Sequence, residues 1–373
     1  MNIVHVVSSP VTKGAGIREA YMLLSNAQSA NLNDQVSVVG LDHPDWPRQS
    51  TKWLGPTPHL CDVYGPRSFG YAPSMAKEIA SLTPDIVHLH GLWMHPGRSV
   101  LQWANSSRQP FIVSTHGMLS NVALSYSRLK KYLVRNWFQF EVLERAAAIH
   151  VTSLVEAQEV RKFGLNNRLI HLPNGVGCVD LPSIQTFAKD KVVLSLGRIH
   201  KKKALSMLLL AWGKLQNRFP DWKLLIVGPD EDGELARLQA LVSKLGLANV
   251  HFKGPVFDQD KINLMASASI FALPSFSENF GITVAESLML GVPVVCSKGA
   301  PWPGLDEQRC GRWVDIGVEP IAQALEDLMQ RSSDELSEMG LRGRQWMMKD
   351  FSWESIAKAM RAEYRSILDR GAS

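Results

Sequence analysis

The sequence predicts an α/β protein of two doubly wound, parallel-sheet (Rossmann-like) domains facing a central cleft. Three observations predict it. Short apolar runs rich in Val and Ile alternate with helix-length amphipathic stretches, the pattern of a parallel sheet covered by helices. The alternation stops after Leu172 and starts again at Lys191. The chain has 373 residues, 45% of them hydrophobic, which suits two cores better than one.

In the first series the expected strands are Asn2–Val7, Gln35–Gly40, Asp85–His90, Phe111–Thr115, Ala148–Thr152 and Leu169–Leu172. The helices between them are Ile17–Ser29, Ser74–Ser81, Arg98–Ser106, Ser127–Arg145 and Ser153–Phe163. In the second series the strands are Lys191–Ser195, Lys223–Val227, Val250–Phe252, Ile270–Leu273 and Val292–Cys296. Their crossovers are Ala204–Arg218, Glu234–Leu245, Gln259–Ala266, Thr283–Leu290 and Pro320–Gln330. Pro173-Asn174-Gly175 is a turn signal, and the aperiodic stretch to residue 190 marks a hinge. The expected domains are therefore 1–172 and 191–350, joined by 173–190. Ligands of open α/β sheets sit at the carboxyl ends of strands, so the cleft is the expected site.

Composition removes several classes. The chain is too apolar for disorder, and no run approaches the roughly 20 apolar residues of a membrane-spanning helix. MNIVHVVSS lacks the features of a signal peptide, and Cys61, Cys178, Cys296 and Cys310 are scattered singly, which points to the cytoplasm. The net charge of +5 lies wholly in the first half: residues 1–172 hold 16 basic and 11 acidic side chains, and the rest hold 24 of each. No acid occurs from Ile86 to Phe140, a stretch that contains Arg98, Arg108, Arg128, Lys130, Lys131 and Arg135. Such segregation suggests an anionic partner for that half, although a solvated surface accounts for it equally well.

Two segments carry candidate chemistry. Pro274–Glu286 joins an apolar strand to a helix and holds Glu278 in the loop and Glu286 inside the helix. Amides at the start of that helix suit a phosphate, and the two glutamates can accept hydroxyl hydrogen bonds on either side of it. A capped helix with two surface acids would read the same way. Gly197-Arg198-Ile199-His200-Lys201-Lys202-Lys203 follows a strand, and Arg198 with one lysine could neutralise a diphosphate.

Together with Pro84–Gly91, Ser114–Met118, Leu172–Val176, Val227-Gly228 and Phe351–Glu354, the Glu278-x7-Glu286 pair resembles the retaining glycosyltransferases of the family-4 type, which have the GT-B fold. The resemblance runs over nearly the whole chain. It implies that Arg198 and Lys203 bind the donor diphosphate, that Glu278 contacts donor-sugar hydroxyls near the anomeric centre, and that Asn279, Phe280, Gly281 and Ile282 hold the phosphate through their amides. Glu286 matches the ribose-binding glutamate. In the first domain His116 matches a histidine that approaches the donor sugar, and Gly16 belongs to a phosphate-proximal loop usually built on paired glycines, here with Ala15 in place of the first. Ala204 stands where the family has Gly, which should alter the local turn. The last helix, 353–373, is expected to pack back on the first domain.

Retention could proceed through a covalent intermediate or by attack from the face of the departing phosphate; the resemblance favours the latter, and no residue stands out as a nucleophile. Arg198, Lys203 and the helix N-terminus can balance the diphosphate, so neither metal nor other cofactor is expected; the nucleotide-diphosphate sugar is a co-substrate. The acceptor is expected to be a glycan or a polyprenyl-linked sugar of bacterial-type surface polysaccharide synthesis. On the helix through Ser127–Phe140, Arg128, Lys131 and Arg135 share one face, while Leu129, Leu133, Trp137 and Phe140 share another. That arrangement suits an anionic membrane surface, and so the inner face of the cell membrane. Packing of the same helix on its own sheet is the alternative. A non-catalytic two-lobed nucleotide or sugar binder would share the cleft. A Rossmann oxidoreductase fits Gly14-x-Gly16 poorly, and no nucleic-acid module is recognisable.

Overall fold

The computed structural model describes residues 1–11, 15–32, 34–177, 190–278 and 280–371. Most of the expected hinge, 178–189, and Asn279 therefore lie outside the described residues. The chain divides into two compact units, Met1–Gly175 with Trp353–Ser373, and Val176–Ser352.

The first unit holds β1 (Asn2–Val7), β2 (Gln35–Leu41), β3 (His59–Cys61), β4 (Ile86–His90), β5 (Phe111–Ser114), β6 (Ala148–Val151) and β7 (Leu169–His171) in the order 3-2-1-4-5-6-7. The second holds β8 (Asp190–Leu196), β9 (Lys223–Val227), β10 (Val250–Lys253), β11 (Ala268–Leu273), β12 (Val294–Ser297) and β13 (Gly311–Val314) in the order 10-9-8-11-12-13. All pairings between these strands are parallel. Both sheets are thus doubly wound. Chain direction across the sheet reverses between β1 and β4 in one unit and between β8 and β11 in the other, where adjacent crossovers leave on opposite faces and open a crevice.

Strands β3 and β13 were not expected. Both are edge strands, three and four residues long, and neither has the continuous apolar run that burial on two faces demands. Helix Ser333–Trp346 was also missed. It begins with a capping box, Ser332 and Glu335 bonding each other's backbone, and only a narrow face of it is buried.

Strand alternation sorts the first sheet into two faces. Val4, Val6, Val87, Leu89, Val113, Ile149 and Val151 enter one core cluster. Ile3, Ile86, Ile112, Ala148 and Ile170 enter another, under Leu24 and Ala27 of helix Ala15–Leu32 and Ile356, Met360, Tyr364 and Ile367 of helix Trp353–Gly371. The final helix is tied down further by Arg361 on the buried Asp34 and by Arg168 on Glu363. The expected long helix Ser127–Arg145 is interrupted. It runs as helix Arg128–Val134, a wide π-turn Arg135–Gln139 and helix Phe140–Arg145. The widened turn buries two consecutive residues, Phe138 and Gln139, and the Gln139 Oε1 accepts the Trp93 amide at 2.6 Å.

Candidate active site

In the second unit the loops after β8 and β11 meet at the reversal point. Lys203, the last residue of a 3-10 turn after β8, donates to Glu278 Oε1 at 2.7 Å, and the Ser275 hydroxyl donates to the same oxygen at 2.6 Å. Two groups expected as separate ligands are therefore bonded to each other, and both are largely buried. The loop is held from below. The Glu278 amide donates to the Gly299 carbonyl at 2.7 Å and the Ser297 hydroxyl donates to the Ser275 carbonyl at 2.5 Å. A Cβ on Gly299 would stand 2.0 Å from the Ser275 carbonyl oxygen, so only glycine admits this approach.

Gly281, at φ +77°, turns the chain into helix Ile282–Met289, whose first turn has no side-chain cap. The Phe280 carbonyl accepts from Trp302 Nε1 at 2.6 Å, and its ring packs on Trp302, which fixes the loop just before those amides. Glu286, on that helix, pairs with Lys261 at 2.6 Å. Arg198 is also engaged: its Nη1 donates to both oxygens of Glu231, at 3.1 and 3.0 Å. Each expected donor-binding cation therefore has a carboxylate partner. Ala204, expected to alter the turn, is buried and takes φ +52°, the left-handed conformation that glycine adopts without strain.

The expectation of metal independence passed over Asp230-Glu231-Asp232 and Asp258-Gln259-Asp260, which have Asp-x-Asp spacing. In the first stretch Asp230 accepts the Leu235 amide at 2.9 Å, Glu231 holds Arg198, and Asp232 lies 3.8 Å from His200. Asp230 thus serves its own loop, while Glu231 and Asp232 reach the loop after β8.

In the first unit Gly16 lies in the first turn of helix Ala15–Leu32, and residues 12–14 before it are outside the described residues. His116 follows β5 with φ +47°, a conformation that costs energy for any residue but glycine. Glu156 holds it there. One carboxylate oxygen accepts from the Thr115 hydroxyl at 2.5 Å and the Gly117 amide at 2.6 Å; the other accepts from the Thr152 amide and hydroxyl at 2.7 and 2.8 Å. Burial pushes the Glu156 pKa up, but these hydrogen bonds outweigh it and hold it below its ordinary value. Glu156 was not singled out in the sequence; Ser153-x-x-Glu156 carries only the spacing of a helix start.

His116 Nε2 is 3.2 Å from His90 Nδ1, and His90 Nε2 is 2.9 Å from His5 Nδ1. His88, Ser114 and His150 lie on the same face of the sheet. Burial brings His5 and His116 down to about 4 and lowers His88, His90 and His150 as well. The sequence signal was the matched register of His5, His88-x-His90, Ser114-x-His116 and His150, visible only once the strands are paired.

The basic residues of the helix through Arg128 share one side as expected, but the apolar set divides. Leu129, Leu133 and Trp137 face outward, while Phe140, beyond the π-turn, turns inward against Phe163 and Arg135. Leu129 and Trp137 are 75% and 62% exposed, and Tyr126, Tyr132 and Leu133 are exposed with them. Arg128, Lys131 and Arg135 instead line a cavity of about 460 Å³ with Trp93, Lys162 and Phe163. Lys131 lies over the Trp93 ring at 5.6 Å and Arg135 over Phe163 at 4.6 Å. Trp137 stacks on Phe69 and is not a core residue. Among the described residues no helix is long and apolar enough to cross a membrane.

Comparison with known proteins agrees with this architecture. The family "Glycosyl transferases group 1" matches residues 180–346, and "Glycosyl transferase 4-like domain" matches 16–175. The GDP-mannose:cellobiosyl-diphosphopolyprenol alpha-mannosyltransferase of Xanthomonas campestris is 26% identical over 99% of this chain and 97% of its own. The phosphatidyl-myo-inositol mannosyltransferase of Mycobacterium leprae is 29% identical over 77% of this chain and 75% of its own. Among solved structures, a glycosyltransferase from Rickettsia africae superposes with a TM-score of 0.73 at 18% identity, covering 98% of both chains. Two family matches in succession, relatives aligned over both units and a shared pair of doubly wound sheets lead to one assignment: the chain belongs to the family-4-type glycosyltransferases of the GT-B fold.

Proposed function

We propose that this glycosyltransferase moves a hexosyl group, with retention, from a nucleoside-diphosphate sugar to a polyprenyl-diphosphate-linked acceptor in surface polysaccharide synthesis. The carrying observation is the Lys203–Glu278 pair at the reversal point of the second sheet, beside the uncapped start of helix Ile282–Met289. A diphosphate arriving there meets the Gly281 and Ile282 amides and draws Lys203 and Arg198 from their carboxylates. Glu278, so released, accepts hydroxyls of the sugar; Glu286 accepts from the ribose, and Asn279 and Phe280 complete the loop. His116 contacts the sugar, and Gly16 the phosphate.

In the transfer step the acceptor hydroxyl oxygen bonds to the anomeric carbon, the bond from that carbon to the phosphate oxygen breaks, and the hydroxyl proton passes to the departing phosphate. Lys203 and Arg198 stabilise the charge that grows on the diphosphate. Glu278 begins in two hydrogen bonds, which suits a positioning group better than a nucleophile. No cation is needed for this step. The name of the Xanthomonas relative favours GDP-mannose as donor, and the names of both mannosyltransferases favour a lipid-linked acceptor.

The acceptor reading rests on the basic cavity beneath helix Arg128–Val134 and on its exposed outer face. An apolar ridge backed by cations suits the boundary of an anionic leaflet, with the protein peripheral on the cytoplasmic side.

The test is a panel of GDP- and UDP-sugars with a polyprenyl-diphosphate sugar as acceptor, scored by released nucleotide and by the anomeric configuration of the product. Glu278→Ala and Lys203→Ala should each abolish transfer while the protein stays folded, and EDTA should leave the wild-type rate intact. Full activity in either variant overturns the site. In a parallel flotation assay with phosphatidylglycerol vesicles, Leu129→Ser/Trp137→Ser should lose binding. Absence of wild-type binding at low salt overturns the membrane reading.

A further inference from the structure

The polar groups under the first sheet form two lines, and the group at the end of each determines where its protons lie. At the end of one line, His150 Nε2 is 2.9 Å from the Leu172 carbonyl. A carbonyl only accepts, so Nε2 carries the proton and the neutral ring leaves Nδ1 bare. The Ser114 hydroxyl, 2.7 Å away, must then donate to it. Ser114 Oγ in turn accepts from His88 Nε2 at 2.6 Å, and His88 Nδ1 accepts from the Tyr364 hydroxyl at 2.7 Å.

The second line ends at Gln28. Gln28 Oε1 is 2.8 Å from His5 Nε2 and, as an amide oxygen, accepts from it. Gln28 Nε2 is buried with no hydrogen-bond partner among the described residues. His5 Nδ1 accepts from His90 Nε2, and His90 Nδ1 accepts from His116 Nε2. His116 is left with a bare Nδ1, which no hydrogen bond among the described residues occupies.

We propose that Gln28, His5 and His90 are positioning residues that hold His116 as its neutral Nε2–H tautomer, so that Nδ1 accepts a hydrogen bond from a hydroxyl of the bound sugar. The tautomer follows from the chain alone; its use on the sugar rests on the role given to His116 above. Although ligating atoms of His5, His88 and His90 lie within 4.8 Å of one another, all six of their ring nitrogens are already in hydrogen bonds, so the cluster offers no lone pair to a cation.

The experiment is long-range 1H–15N correlation of the imidazoles in the full chain, with His116 assigned by loss of its signals in His116→Asn. In the wild type, Nε2 should be protonated and Nδ1 bare from pH 8 to pH 5. Gln28→Met removes the terminal acceptor three hydrogen bonds from His116 and should mix its tautomers; His90→Phe cuts the line next to it and should do the same. Ser114→Ala, in the other line, should leave His116 unchanged. Transfer by Gln28→Met should fall about tenfold in kcat, with the donor KM little altered, the loss of one oriented hydrogen bond.

A protonated Nδ1 in the wild type, or an unmoved tautomer in both cut variants, overturns the proposal. So do His5 and His90 signals that shift on adding zinc and return with EDTA. If the tautomer responds but Gln28→Met transfers at the wild-type rate, the sugar contact of His116 is overturned while the donor site of the second unit stands.

Discussion

The two sheets share one winding order and one kind of reversal point, yet opposite chemistry gathers there. In the first unit most of the groups are neutral: histidines, a serine, a tyrosine and an amide, buried and bonded nitrogen to nitrogen or oxygen, with the Glu156 carboxylate satisfied by four donors beside them. In the second they are ionic and paired, Lys203 with Glu278, Arg198 with Glu231 and Lys261 with Glu286. Winding order therefore locates a crevice and leaves its character to the residues at the strand ends. The difference suits the roles proposed for the two sites. A buried dipolar chain has one low-energy proton arrangement and keeps it through a reaction cycle. Ion pairs can exchange one charged partner for another, and a diphosphate is a stronger partner for Lys or Arg than one carboxylate.

Acid separates the two units most strongly. The five lowered histidines, His5, His88, His90, His116 and His150, bind protons less readily folded than unfolded. Their contribution is complete above the unfolded value of about 6.5 and is lost as pH falls from there toward about 4. For His5 and His116, whose folded values lie near 4, the loss approaches about 1.4 kcal/mol per pH unit each once well below 6.5, and the other three add in the same direction. Glu156 adds to the loss below its ordinary value. Calorimetry of the intact chain should show the first-unit transition moving down between pH 7 and 5 while the second, identified by its shift with nucleotide, stays. Joint movement of both would erase the distinction.

A smaller break comes from Glu156→Gln. Every group on its carboxylate is a donor, so an amide nitrogen there faces donors and leaves one unpaired. We expect a loss of about 3 kcal/mol by urea titration, confined to the first unit. In the second unit Glu231→Gln should sharpen the comparison in the other direction. Arg198 is freed, and a nucleoside diphosphate should bind severalfold tighter by calorimetry, with a steeper salt dependence; weaker binding would show that Glu231 orients Arg198 for its ligand. Least of all, Ala204→Gly should change stability by under about 1 kcal/mol, because relief of the left-handed strain offsets a lost buried methyl and a freer unfolded chain. Ala204→Val, branched at a position with φ +52°, should cost more than about 2 kcal/mol by the same titration.

The contrast also explains what was legible in the sequence. The central strands of both sheets could be read because burial on two faces demands continuous apolar runs, and β1 and β9 occupy the expected spans. Edge strands β3 and β13 carry no such demand. Glu278, Lys203 and Arg198 were visible as residues through local motifs, but their partners were not, since Lys203 and Glu278 lie 75 positions apart. The histidine lines were less visible still. Their members sit singly in apolar strands, where each looks like an interruption, and His88 finds Tyr364 only 276 residues later. Polar groups buried in register are a property of pairing, and no window along the chain contains it.

The dependence on Tyr364 also bears on the order in which the protein is made. The chain leaves the first unit at Gly175 and returns to it at Trp353. A ribosome that has released residues up to 352 has made the whole second unit, yet the first still lacks the helix that covers Ile3, Ile86, Ile112, Ala148 and Ile170. Until that helix arrives, His88 has no hydroxyl to accept from, and an apolar sheet face stays open to water or to a chaperone. The unit begun first is thus completed last, and the nascent chain passes through a stage in which the ionic half is built before the histidine half is closed.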